Sequence, residues 1–228
     1  MRKLIFSILL LLATPLLAEE ADLLVYEVKE EGLPKYLSRI LVSDAFVRID
    51  EGEESSSGYT LYNRVSHVLY NVDPEEGTVL LLTPPDPQPQ VPEGLHLEEK
   101  LAADPDAPEI AGRQLRKLQL YANGQLCRTL QVVEGLLPKA VQGLRELRLA
   151  LARLQGDVPL DADSDACELV EYVYAPTRAL AYGLPLVDLM QRKQQWLVDF
   201  DSRREVQDAL FQVPEEYEPV VPPTLGGR

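Results

Sequence analysis

The chain has 228 residues, of which 46% are hydrophobic and 26% charged, a globular composition and not a disordered one. Its formal net charge is −15 at pH 7. That balance speaks against nucleic acid, whose phosphates are gripped by clustered Lys and Arg, and against docking on an anionic membrane by charge alone.

The N-terminus carries the strongest functional signal. Met1-Arg2-Lys3 is a short basic segment, and Leu4 to Ala13 is apolar. Thr14-Pro15-Leu16-Leu17-Ala18 then breaks the helix and ends on a small residue, before Glu19-Glu20. This is the layout of a signal peptide over 1–18, with cleavage after Ala18. The alternative is a retained anchor, for which Leu4 to Ala18, interrupted by Pro15, is short. No cysteine precedes Cys127, so no lipidated cysteine can start the mature chain. No later run is long and apolar enough for a span. The signal looks bacterial, and the expected compartment is the periplasm.

From Ala21 the chain reads as short strands: Ala21–Lys29, Lys35–Ser43, Phe46–Asp50, Tyr59–Asn63, His67–Val72 and Thr78–Thr83. Turn residues separate them, including the Glu/Ser/Gly loop 51–58 and Asp73-Pro74-Glu75-Glu76-Gly77. Strands at such spacing form an antiparallel meander that hides one face and needs a cover. Prolines at 84, 85, 87, 89 and 92 make the next stretch an extended loop. Leu95–Leu101 is a further candidate strand. Arg113–Tyr121 and Leu126–Val133 flank Asn123-Gly124, the best hairpin signal in the chain.

The pattern then changes period. Leu137, Ala140, Val141, Leu144, Leu147, Leu151 and Leu154 recur at helical spacing, with Arg145, Arg148 and Arg153 on other faces. Pro138 lies near the first turn, and Gly156 stops the run. After an acidic linker, Ser164 or Asp165 can cap a shorter helix over Ala166 to Tyr174. Leu184–Met190 and Gln195–Asp201 return to strand, Phe211–Pro214 reads as a short edge piece, and 218–228 as a disordered tail.

The predicted fold class is α+β. A curved antiparallel sheet, a half-barrel, is covered by one long and one short helix in a single domain over 19–217. A helix over an unclosed barrel leaves an apolar groove. Leu137, Val141, Leu144, Leu147 and Leu151 are its candidate lining. Cys127 and Cys167 are the only cysteines. An oxidising compartment would join them if the fold brings them close, and the alternative is two separate buried thiols. Joined, they close a loop of about 40 residues, worth roughly 4 kcal/mol by chain entropy.

Catalytic signatures are missing. Gly-x-Ser-x-Gly, Ser-x-x-Lys and His-Glu-x-x-His do not occur, and no glycine-rich loop follows a strand and opens a helix. His67 and His96 are the whole histidine supply and read as ordinary residues, His67 in a strand. Glu51, Glu53 and Glu54, or Asp161, Asp163 and Asp165, lack the spacing of a calcium loop. No metal, cofactor or catalytic residue is expected, although 37 acids leave a carboxylate-pair hydrolase open as a weaker alternative. Arg39, Arg48 and Arg64 fall on neighbouring strands. They form either a basic track or cross-strand pairs with Asp50, Asp44 and Glu27.

Three stretches resemble the LolA/LolB-like superfamily of periplasmic proteins. They are YLSRILVSDAFVRIDEG, YTLYNRVSHVLYNVDPEEGTVLLLTP and ALFQVPEEY. The matching positions are Arg48-Ile49-Asp50-Gly52, Asn63-Arg64, Asp73-Pro74 and Phe211-Val213-Pro214. The resemblance covers 21–83 and 184–217, while 84–183 departs from it. It implies an incomplete barrel that holds acyl chains and is closed by helices. The expected function is binding or carrying a lipid, an acylated protein or another apolar ligand. The alternative is an interaction or sensing module that engages another envelope protein without a small ligand.

Overall fold

The computed structural model describes residues 18–52, 58–156 and 165–220. The predicted signal peptide therefore lies outside the described residues, apart from Ala18.

The first six strands are β1 (Ala18–Glu30), β2 (Tyr36–Val42), β3 (Phe46–Glu51), β4 (Tyr59–Asn63), β5 (Leu69–Asp73) and β6 (Thr78–Leu82). They pair in sequence order, each antiparallel to the next. After the proline-rich stretch come β7 (Leu97–Ala103), β8 (Leu115–Ala122) and β9 (Gln125–Val133), a second meander. Asn123 and Gly124 join β8 to β9 with φ of 49° and 79°, the left-handed pair that a two-residue hairpin turn requires.

The chain then builds α1 (Pro138–Gln155) and α2 (Ala166–Leu169), and returns through β10 (Leu184–Met190) and β11 (Lys193–Gln207). β11 pairs with β1 along almost its whole length, from Ala18↔Gln207 to Glu30↔Lys193. Among the described residues this joins the two meanders into one open sheet of twelve strands. Its order is β12-β6-β5-β4-β3-β2-β1-β11-β10-β9-β8-β7, where β12 is Glu218–Val220. All pairs are antiparallel except β12 with β6.

Alternation along β1 sends neighbouring side chains to opposite faces. On one face Leu24, Tyr26, Ile40, Val42, Val47 and Tyr62 meet Ala140, Leu144, Leu147 and Ala150 of α1. On the other, Leu23, Leu41, Tyr59 and Leu61 meet the C-terminal segment through Val206 and Phe211. There Phe211 stacks on Phe46 with centroids 5.6 Å apart, and the Leu210 and Gln212 carbonyls accept from Arg48 Nη1 and Tyr59 Oη.

α1 sits close to the sheet for a local reason. A Cβ on Gly143 would lie 2.6 Å from Val42 Cγ1, so only glycine fits at that crossing without a shift. Leu137, at the head of α1, has φ of 44° and makes no side-chain cap. Buried Asp22 of β1 supplies the cap from across the fold, its Oδ2 accepting from Ala140 N at 3.1 Å.

Several expectations need correction. The second helix is shorter than Ala166–Tyr174: after α2, Val170–Tyr174 widens into a π-helical turn. Asp165 caps α2, accepting from the Cys167 and Glu168 amides. β11 runs well beyond Asp201, because long β1 offers its polar second half a pairing partner. Asp208–Phe211 is a 3₁₀ turn where an edge strand was expected from Phe211. His67 lies in the β4–β5 turn with φ of 58°, and its Nδ1 is 2.9 Å from Tyr62 Oη. Glu218–Val220, assigned by sequence to the terminal tail, form β12, and 221–228 lie outside the described residues.

Candidate functional site

A groove opens between α1 and the sheet. It has a volume of about 220 Å³. Val28, Ile40 and Ile49 from β1, β2 and β3 form one apolar wall, and Leu144, Leu147 and Leu151 of α1 form the other. Helical spacing puts those three leucines on one side of α1, and strand pairing puts Ile40 directly opposite Ile49. The groove ends at a polar wall containing Arg128, Arg148, Glu171 and Lys193. Beyond that wall a second hollow of about 320 Å³ lies between β9, α2 and the β10–β11 turn, sharing Arg128, Glu171, Tyr172, Met190 and Lys193 with the first.

The polar wall is a buried ion-pair network. Arg128 is 2% exposed and Asp188 fully buried at the side chain. Arg128 Nε donates to Asp188 Oδ1 at 2.6 Å, its Nη2 to Asp188 Oδ2, and its Nη1 to Glu171 Oε1. Gln195 Nε2 adds a bond to Asp188 Oδ2 at 2.9 Å. Arg148 of α1 reaches the same Glu171 oxygen from the groove side at 3.3 Å. Tyr26 Oη, beside them, donates to the Pro185 carbonyl at 2.8 Å.

Each shift in acidity follows from this crowding. Burial works to raise the Asp188 pKa, but the Arg128 charge and its hydrogen bonds outweigh it and hold the carboxyl below the usual range. Burial opposes the charge on Arg128, yet Asp188 and Glu171 raise its pKa overall. Arg148 is lowered, first by burial and then by the neighbouring Arg128 charge. Burial and then the Asp188 charge push the Tyr26 phenol up, which keeps it a neutral donor.

The disulfide sets this wall in place. Cys127 and Cys167 are bonded, tying β9 to α2 as expected from their being the only pair. Cys127 precedes Arg128, and Glu171 lies one helical turn beyond Cys167. The crosslink therefore holds the segment carrying Glu171 over Arg128.

Of the residues predicted to line a groove, Leu144, Leu147 and Leu151 do so. Leu137 is buried in the core at the head of α1, and Val141 faces a separate hollow with Leu136, Arg145 and Leu180. Sequence reasoning missed Arg128, Asp188 and Glu171. A signal was there for Arg128, which falls in phase with Leu130 and Val132 on β9 and so on their buried face.

The supposed basic track does not form. Arg48 pairs with Asp50 and lies 3.7 Å from the Tyr59 ring centre, Arg64 pairs with Glu146 of α1, and Arg39 stands opposite Asp50. Asp44 meets Lys139, and Glu27 meets Lys35. The candidate calcium residues Glu53, Glu54, Asp161 and Asp163 lie outside the described residues. Among the described residues no group of three or more His, Cys, Asp or Glu could hold a metal ion. The lining of the groove contains no histidine or cysteine among those residues. What the arrangement offers is an apolar shelter with ion-pairing groups at one end. Among the described residues, no helix is long and apolar enough to cross a membrane.

No protein-family model and no curated protein matches the chain. The fold is similar to the crystal structure of an uncharacterized conserved protein from Thermus thermophilus at a TM-score of 0.47. The identity is 11%, over 90% of this chain and 91% of that one. The site thus rests on its own geometry.

Proposed function

We propose that this is an exported, non-enzymatic binding or carrier protein of the LolA/LolB-like kind that holds an apolar ligand between α1 and the sheet. The ligand is a lipid or the acyl group of an acylated protein. The observation that carries this reading is the groove whose facing walls are Ile40, Ile49, Leu144, Leu147 and Leu151. The open twelve-stranded sheet, with α1 seated on one face, supports the half-barrel-and-helix arrangement expected from the resemblance. The Cys127–Cys167 disulfide supports an extracytoplasmic home and fits a periplasmic one.

The test is to export the protein to a bacterial periplasm, purify it without detergent, and extract it with organic solvent beside a control periplasmic protein. Mass spectrometry should find a lipid or fatty acyl species enriched on this protein alone. An extract matching the control, together with no saturable binding of acyl-chain probes, removes the reading.

A second reading has its own observation. β11 carries Val198, 56% exposed, two residues from half-buried Trp196. An exposed apolar surface of this kind favours a protein partner. Crosslinking in the envelope distinguishes it, by joining this surface and not the groove to another protein.

A further inference from the structure

Arginines in this fold share a habit. Arg48, Arg64 and Arg128 each lay the edge formed by Nε and Nη2 along one carboxylate: Asp50, Glu146 and Asp188. Arg148 has the same edge to offer, and its side chain is only 24% exposed. Its Nη1 donates to Glu171 Oε1 and to the Pro176 carbonyl, both at 3.3 Å. Among the described residues, the hydrogen bonds that Arg148 makes run from Nη1 and leave the Nε–Nη2 edge for another partner. The space that Arg148 borders is the groove.

The charges nearby do not satisfy it. Asp188 is committed to Arg128 and Gln195, and Glu171 divides Oε1 between two guanidiniums. Burial and the facing Arg128 charge both act against the Arg148 cation. A monoanion at its free edge would relieve that arrangement and complete the two-pronged geometry that suits a carboxylate.

We propose that the ligand is a single-chain carboxylic acid, its carboxylate forked on Arg148 Nε and Nη2 and its alkyl chain lying between Ile40, Ile49, Leu144 and Leu147. The assignment rests on the groove reading above and narrows it to one ligand class. The groove volume of about 220 Å³ favours a compact head and one chain. On the same lining Lys193 pairs with Glu30 and Arg128 with Asp188, while Glu51 and Glu171 disfavour a second negative charge, and so a phosphate head.

The experiment is calorimetric titration of the full protein with dodecanoate, dodecanol, dodecyl phosphate and dodecylammonium, below their aggregation limits. Arg148→Gln and Arg148→Lys are titrated beside it, with melting curves to confirm folding. Dodecanoate should bind roughly tenfold tighter than dodecanol, the scale of a charge-assisted hydrogen-bonded pair. Arg148→Gln should remove that advantage and leave dodecanol within about twofold, and Arg148→Lys should keep part of it. Equal affinity of the native protein for dodecanoate and dodecanol overturns the carboxylate assignment and leaves the apolar groove standing. Tightest binding of the phosphate or the ammonium overturns it likewise. Failure of all four to bind overturns the groove reading as well.

Discussion

The two halves of the sheet are held in different ways. In the half from β1 to β6, both faces are covered, by α1 on one and the C-terminal segment on the other, and the contacts are largely apolar. In the half from β7 to β11, the covering segment 165–182 is joined by a disulfide and a buried ion-pair network as well as by small apolar clusters. The groove lies where the two regimes meet, and that is why it has an apolar end and a charged end. Packing alone would close such a space, whereas fixed charges that need mutual distance and hydrogen bonds keep one wall in place.

The largest effect should come from breaking the charged wall. Asp188→Ala leaves Arg128 buried with only Glu171 beside it, and chemical denaturation should show a loss of about 3–5 kcal/mol. An unchanged midpoint would mean that the network adds nothing to this half. The same group gives a pH test. The folded-state pKa of Asp188 lies below its unfolded value, so its contribution is present above the ordinary carboxylate range of about 4 and is lost as pH falls through the folded value. Native protein should therefore lose stability more steeply than Asp188→Asn as pH drops from about 5 toward 2.

Next comes the crosslink. Cys127→Ser should cost about 2–4 kcal/mol in oxidising buffer, and the difference from native should vanish when both are reduced. Native protein that alkylates freely at both cysteines without reductant would contradict the bond itself. The packed half should answer to size instead. Gly143→Ala drives a methyl into Val42 and Val47, and the overpacking should outweigh the gain in helix propensity for a net loss of about 1–2 kcal/mol. Smallest is the cap: Asp22→Ala removes the acceptor for the Ala140 amide and should cost about 1 kcal/mol by thermal melting.

The sequence reveals what is local. Alternation marked the strands from β1 to β6, Asn123-Gly124 marked the β8–β9 turn, and i+3/i+4 leucines marked α1 to within a residue or two. These signals lie within a few residues of each other, so periodicity and turn chemistry suffice to find them. The pairing of β1 with β11 joins residues far apart in the chain, and neither strand signals its partner. Arg128 and Asp188 are 60 residues apart, and each reads alone as a solvated charge. The disulfide was legible only because two cysteines allow one pairing. Leu137 and Val141 share the core that the helical stripe predicts, and the stripe alone does not mark which stretch of it borders the groove.

The proposed function places an acyl chain in the space between α1 and the sheet. Its most direct test is photo-crosslinking with a dodecanoate that carries a diazirine on the chain, followed by peptide mapping. The expected result is saturable labelling of the peptides containing Ile40, Ile49, Leu144 and Leu147, competed by unlabelled dodecanoate. Labelling that does not saturate, or that falls around Val198 and not in the groove, would contradict it.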